Sequence, residues 1–496
     1  MSATIIPFEL HLPTILPTIE GNVDYLDLRY QLVRIDQLLI ASGLETKLVE
    51  LALDRWLGLK EKPPGAKAQR NYQTHCRRAL RCNIARLLLK EDFRGFAVRL
   101  ADSPLLQFFC GLNELGPVRV PAKTTLQRYA CWWPEKEVHP QIQQLLNTGQ
   151  QQPEKLQLEK PLDLEAAFLD TTCVKANIHY PVDWVLFRDA TRTLMKAVQL
   201  IREQGLKQRM EAPSVFMSRM NGLCLAMTHA RAKADSQKQR KRIVRKMDRL
   251  VGIVRQHAQR YRELLDQQWS QTQWTRPQAQ VVLGRMDQVL QQLPKAREQA
   301  RQRILQGQLV PSEEKILSLY ESEVRVIVRH KAGAEVEFGN TLLLVESPQG
   351  LILDWELFCE SAPGDAKLVL PSLQRIDQAY EEPPKAVGGD RGFDSEANQQ
   401  KLVQRGTYNG ICPRGPQQLR ERIKSWKFKK LQRRRAQTEG RIAIFKNNFL
   451  GRPLRSKGFE HRQLTVTWAV LTHNLWVMAR LPQLPQAEAA AEKAAA

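Results

Sequence analysis

The chain has 496 residues, 43% of them hydrophobic and 26% charged, with 75 Lys and Arg against 52 Asp and Glu for a formal charge of +23. That length and balance provide for two or more domains with ample core and exclude a disordered or fibrous chain. The cationic excess favours a polyanionic partner, nucleic acid ahead of an acidic membrane surface.

The N-terminal stretch MSATIIPFELHLPTILP is broken by prolines and has no basic leader, and no apolar run approaches a membrane span. Neither export nor a membrane anchor is expected. Eight cysteines lie scattered without a CxxC pair, which suits a reduced, cytosolic chain. Cys76 and Cys82, with His75 nearby, read as packing residues on a helix rather than metal ligands.

From about residue 24 to 150 the chain reads as mainly helical. Leu32, Ile35, Leu39 and Ile40 trace one apolar face, Ser42-Gly43 makes a turn, and Leu48, Leu51, Leu53, Trp56 and Leu57 resume beyond it. Two helices joined by a short turn suit a DNA-reading module and, equally, a plain helical bundle. In VPAKTTLQRYACWW, Thr124 and Thr125 stand where a helix would start, with Lys123 and Arg128 available to phosphates. The Gln-rich stretch from Gly149 to Lys160, containing Pro153, reads as a linker.

A second module begins near Pro161. LEAAFLDTTCVKANI predicts a strand, and Asp183 a cap for the helix WVLFRDATRTLMKAVQLI. Ile243, Met247, Leu250, Val254, His257 and Tyr261 then recur at alternating spacings of four and three, as do Val282, Met286, Val289, Leu293, Ala296 and Ala300. Joined through Gln267 to Ala279, these segments predict an antiparallel helical hairpin, kinked at Pro294, with His257 packed in its seam. Strand character returns in VRVIVRH, EVEFGNTLLLVES and GLILDWELFCES; DAKLVLPSLQRID reads as a helix and KAVGGDRGF as another strand. A helix carrying Glu439, the apolar helix LTVTWAVLTHNLWVMARL and a frayed alanine-rich tail from Ala487 complete the chain.

The charge is concentrated. Residues 414–462 carry 16 basic residues against three acidic ones, and residues 231–262 carry 12 against two. Within the first cluster sits Glu439, while Asp170 and Asp390 end apolar runs that read as strands. Cutting or joining a phosphodiester requires an activated nucleophile and a stabilised leaving oxygen, which two divalent ions held by converging carboxylates can supply. Oxygen ligands suit Mg²⁺, and the surrounding cations suit phosphate. Asp170 could equally be a turn residue, Asp390 a partner of Arg391 or Arg414, and Glu439 a neutraliser of its arginine neighbours. Asp394 reads as a helix N-cap rather than a fourth ligand. His179 and Tyr180 are open to substrate, core or loop roles, and Trp426 either stacks an unpaired base or anchors its helix.

The order strand Asp, strand Asp, helix Glu resembles the ribonuclease-H-like core of DDE transposases from bacterial insertion sequences. Arg435-x3-Glu439-x6-Lys446 matches the R-E-K part of that group's Y-x2-R-x3-E-x6-K signature. The signature's tyrosine position is Gln432 here, so the role of that tyrosine does not carry over. GDRGFDS is similar to the family's second-aspartate motif, in which Gly392 lets the chain turn. VPAKTTLQR and FRGFAVRLADSPLLQFF look similar to N-terminal regions of the same transposases. The 220 residues from Asp170 to Asp390, against 49 from Asp390 to Glu439, place an insertion before the second aspartate.

The resemblance implies an α/β ribonuclease-H-like catalytic core over 161–480 with a long helical-hairpin insertion at about 184–320. A mainly α-helical domain over 1–150 would bind DNA ends, and 481–496 would be a flexible tail. Asp170, Asp390 and Glu439 would be the catalytic and metal-binding residues, holding two Mg²⁺ ions with Mn²⁺ as a possible substitute. Arg435 and Lys446 would grip DNA together with Arg433, Arg434, Lys429, Lys430 and Trp426. The hairpin would meet DNA through its basic face or a second protomer through its apolar seam. The expected partners are double-stranded DNA, both transposon ends and target, and a second copy in a homodimer on paired ends, in the bacterial cytoplasm near the nucleoid. The expected function is cleavage at transposon ends and strand transfer into target DNA. A metal-dependent nuclease of the same fold and a non-catalytic, transposase-derived DNA-binding protein fit the same residues.

Overall fold

The protein is described by a computed structural model covering residues 19–112, 117–230, 235–331, 334–451 and 453–484. The leading segment, Arg231, Lys233, Arg452 and the alanine-rich tail lie outside the described residues.

Among the described residues, seven helices come first: α1 Val23–Ala41, α2 Leu44–Gly58, α3 Ala66–Leu88, α4 Phe93–Asp102, α5 Pro104–Phe109, α6 Lys123–Ala130 and α7 Glu135–Gln151. The α1–α2 turn forms because Gly43 takes a left-handed conformation, φ +75°. The apolar face of α1 is Leu32, Ile35, Leu38 and Leu39, whereas Ile40 is 60% exposed. The 3.6-residue period rotates it away from the core once Leu38 takes its place. The expected linker is not a free connection. α7 runs through Gly149, whose missing side chain admits Leu162, and the buried Leu156 and Leu158 pack beneath Arg34, whose guanidinium donates to the Leu156 carbonyl at 2.5 Å.

Strand β1, Ala166–Lys175, leads into α8 Asp183–Glu203, α9 Pro213–His229, α10 Ser236–Gln268 and α11 Arg276–Ala300. These four helices form a bundle with its own core, including Leu194, Val198, Met220, Met247, Val254, Met286 and Leu293. The predicted hairpin is α10 and α11, set antiparallel by the Arg262–Asp287 and Arg297–Asp248 ion pairs. Its seam is not open to a second protomer, because α8 packs on both helices and α9 on α10. Ala258 fills the seam position beside His257, which is half-buried, edge-on to Phe216. Continuous helix passes through Pro294. Asp183 is the first residue of α8 rather than its cap, and its buried carboxylate accepts from Arg303 and Gln299.

Beyond the bundle come β2 Arg325–Lys331, β3 Ala334–Glu346, β4 Ile352–Leu357, α12 Val369–Ala379, β5 Ala386–Gly389, α13 Glu396–Gln404, β6 Tyr408–Ile411, α14 Pro416–Arg422, α15 Trp426–Phe445 and α16 Phe459–Met478. The six strands form one mixed sheet ordered β2-β3-β1-β5-β6, with β4 also paired to β3. β1 is antiparallel to β3 and parallel to β5, and β5 is parallel to β6.

A single hydrophobic core runs from Leu32 through Trp133, Leu343 and Trp468 to Ala479, so the N-terminal helices, the sheet and α16 share one interior. Residues 481–484 are pinned as well: Gln483 bridges Leu158, and the Leu484 amide donates to Gln157.

Candidate active site

Burial along β1 is continuous from Ala166 to Leu169, breaks at Asp170 and Thr171, and resumes through Val174. Asp170 therefore lies within the strand, not at its end; the strand is opened to solvent just where its polar residues stand. β1 and β5 run in register as Ala166 with Ala386, Ala167 with Val387 and Phe168 with Gly388. Asp390 follows β5 directly and is still extended at φ −80°, ψ −175°, so continuing the register two residues sets it level with Asp170. Residues 220 apart in the chain become neighbours because parallel pairing joins the two segments. The Asp170 carboxylate accepts from the Thr171 amide at 2.8 Å, and that of Asp390 from the Gly392 amide at 2.7 Å.

α15 crosses β1, β5 and β6. It comes close because Gly410 has no side chain: a Cβ there would sit 2.7 Å from Leu431. Leu431 packs with Ala166, Phe168 and Ala386, and Phe428 and Phe445 are buried at either end of the helix. At 100° per residue, positions 432, 435, 439 and 446 fall within an arc of about 60°. Gln432 donates to the Gly410 carbonyl at 2.6 Å, Arg435 lies 3.9 Å from the Asp390 carboxylate, and Lys446 donates to Thr172, two residues beyond Asp170, at 2.9 Å. Glu439 lies between Arg435 and Lys446 on this stripe and is exposed. The signature spacing is thus the spacing of a helix face laid across two strands.

The predicted DNA-gripping residues divide into two sets. Lys429, Lys430, Arg433 and Trp426 are exposed on α15, with Lys430 over the Trp426 ring at 5.4 Å. Trp426 is 71% exposed, so it does not anchor the helix in the core. Arg434 is turned inward instead. Its guanidinium donates to Glu346 and to the Ser347 and Pro348 carbonyls and lies over the Phe168 ring, which leaves it no fork for a phosphate. Lys446 is 9% exposed and held at Thr172; it is buried between the end of α15 and β1.

Ser395, not Asp394, caps α13, while Asp394 is buried and accepts from the Arg414 amide and Gln399. Tyr180 is exposed, edge-on to Phe338, and His179 is exposed in the loop after β1.

Asp170, Asp390 and Glu439 offer only carboxylate oxygens, a donor set that fits Mg²⁺ or Mn²⁺ and not a thiolate-seeking ion. Among the described residues, no three His, Cys, Asp or Glu stand close enough together to hold a metal ion. Asp170 and Asp390 belong to segments joined by the β1–β5 pairing, and Glu439 is exposed on α15, which packs on both strands. In the same set, no helix is long and apolar enough to cross a membrane.

Residues 325–475 match the family model described as a transposase DDE domain. This segment is a transposase DDE domain. It contains Asp390, Glu439, Arg435 and Lys446, and Asp170 precedes it. The DDE domain points to transposase activity on DNA with divalent metal ions. The search of curated proteins found no match, and the search of solved structures found none either.

Three features of the site escape sequence reading. β6 is four residues long with a central glycine, too short for a periodic signal, yet it supplies the Gly410 carbonyl that holds Gln432. The Glu346–Arg434 pair joins residues 88 apart. Asp365, in the turn before α12, donates nothing to any motif, yet it accepts from the Thr171 hydroxyl at 3.1 Å.

Proposed function

We propose that this chain is a DDE transposase that cleaves at the ends of its own mobile element and joins the freed 3′-hydroxyls to target DNA. The observation that supports this reading is the parallel register of β1 and β5, which, continued two residues, sets Asp170 level with Asp390, whose carboxylate lies 3.9 Å from Arg435 of the Gln432-Arg435-Glu439-Lys446 stripe. The mixed sheet, antiparallel on one side of β1 and parallel on the other, supports a ribonuclease-H-like core over 161–480, interrupted by the α8–α11 bundle.

Asp170, Asp390 and Glu439 are the groups that would hold two Mg²⁺ ions, which activate the attacking oxygen and stabilise the leaving one when bound. The protein's own residues prepare that site. Amides of Thr171 and Gly392 orient the two aspartates, and Arg435, partly exposed beside Asp390, can turn to a phosphate oxygen at the cleft. Lys446 holds β1 to the end of α15 through Thr172. Lys429, Lys430 and Arg433 would follow the DNA backbone outside the cleft, with Trp426 available to stack on a base. The N-terminal helices, with exposed Lys123 and Arg128 on α6, would read the element ends, and the active form would be a homodimer on paired ends.

Glu439→Gln removes a charged ligand while keeping the side chain's size. It should abolish Mg²⁺-dependent cutting of DNA carrying the element ends and leave binding in a gel-shift assay within about twofold, because phosphate contacts dominate affinity. Retained cutting would remove Glu439 from the site. Free ends without joined products would favour a nuclease, and tight binding without cutting by the wild type would favour a DNA-binding derivative.

A further inference from the structure

We propose that Asp365 is a positioning residue that fixes Asp170 and Asp390 side by side, an inference that rests on the metal-binding reading of those two aspartates. Its oxygens are directed at the middle of β1 and at the turn after β5. One accepts from the Thr171 hydroxyl at 3.1 Å, and Thr171 in turn donates its amide to Asp170 at 2.8 Å. The other faces Gly392: a Cβ placed on that glycine would lie 2.8 Å from Asp365 Oδ2 and 2.9 Å from Asp390 Oδ1. Gly392 donates its amide to Asp390. Each of the two aspartates is therefore held by a backbone amide close after it in the chain, Thr171 within β1 and Gly392 in the turn after β5, and Asp365 bonds the first and faces the second.

At β1, Asp365 and Asp170 lie on opposite faces of the strand. Successive side chains of a strand leave on opposite faces. Phe168 packs against Leu431 and Arg434 of α15, and Thr172 meets Lys446, so the even-numbered positions of β1, Asp170 among them, face α15. Thr171 leaves on the other face, and Asp365 meets β1 from there. The turn that carries Asp365 is secured independently, since Asn398 donates to both the Ala366 and Phe393 carbonyls and so ties the residue after Asp365 to the turn after Asp390. Gly392 is required for space: any side chain there would force apart the carboxylates that close over it.

The test is titration of the purified full-length protein with Mn²⁺ by calorimetry, beside the thermal unfolding midpoint of each variant. Asp365→Ala should weaken Mn²⁺ binding about tenfold or more, the usual cost of losing a group that orients a metal ligand, while Asp365→Asn, which still accepts from Thr171, stays within about threefold of wild type. Thr171→Val should weaken binding as Asp365→Ala does, and the double variant should lose no more than either single one, because both remove the same contact. Wild-type affinity in Asp365→Ala would overturn the proposal. So would Asp365→Asn as weak as Asp365→Ala, which would make the charge, and hence direct ligation, the operative feature. Asp170→Asn serves as the separate control: if it binds Mn²⁺ as wild type does, or if wild type binds none, the metal-binding reading fails and the positioning role falls with it. Should Asp365→Ala not fold, Asp365→Asn and Thr171→Val decide the matter.

Discussion

Gln432 stands where the resembling signature carries tyrosine, and its amide ties α15 to the end of β6. A polar side chain that spans from the helix to a strand-end carbonyl keeps Arg435, one turn on, at Asp390. A motif named Asp390, Arg435 and Lys446 in the sequence, and in the fold Arg435 lies by Asp390 and Lys446 by Thr172. Asp365 was not legible there, because an aspartate between glycine and a helix reads as a local turn residue, and only the folded chain brings it to Thr171. His473 shows the same limit in the core. Surrounded by Phe445, Phe449 and Trp476 and fully enclosed, its imidazole is driven by burial down to about 4. The neutral form is the folded form, so its contribution to stability is complete above pH 6.5 and is lost as the pH falls towards 4, where the unfolded chain binds the proton first. Relative to His473→Leu, the wild type should lose about 3 kcal/mol of stability between pH 7 and pH 4 in urea denaturation. Parallel pH profiles would contradict a buried neutral histidine.

At the scale of elements, periodicity served long helices and failed short strands. α10 and α11 follow from their four-and-three spacing, but α9 does not announce itself, and without it the hairpin's seam looks like a dimer surface. β5 and β6 have four residues each; their place follows from parallel pairing, which no local pattern encodes. α15 combines both behaviours: its inner stripe is packed and its outer face is charged. Replacing Lys429, Lys430 and Arg433 together by alanine should weaken DNA binding and lower the slope of log affinity against log salt by about 2 to 3, with cutting retained at saturating protein. An unchanged slope would place the phosphate path elsewhere, α10 being the alternative. There Lys238, Arg242, Arg245 and Arg249 are accessible on a face opposite the buried Val244, Met247 and Val251.

Over the whole molecule, the separation into an N-terminal helical segment, a linker and a catalytic segment reflects composition more than packing. The linker looked polar because its glutamines face outward while Leu156 and Leu158 face in, and the shared core joins Leu32 to Trp468 across it. α16 closes that core, and one buried cation secures it. Arg462 is 0% exposed; its guanidinium pairs with Glu321 at the end of the bundle segment and donates to Asn340 on β3. Arg462→Met leaves Glu321 buried and unpaired, so a loss of about 3 to 5 kcal/mol is expected in chemical denaturation, with the double substitution Arg462→Met, Glu321→Leu recovering a large part of it. No recovery would mean that Asn340, not Glu321, is the essential partner.

On the proposed function, Asp170, Asp390 and Glu439, drawn from three distant segments, form one active site for cutting and joining DNA. The most direct measurement incubates the purified protein and Mg²⁺ with a plasmid carrying the native flanks of its gene, wild type beside Glu439→Gln, and sequences every new end. Discrete cuts and joints at the flanking repeats, present with wild type and absent with the variant, are the predicted result. Tight binding of those flanks with no new ends from the wild type would contradict it.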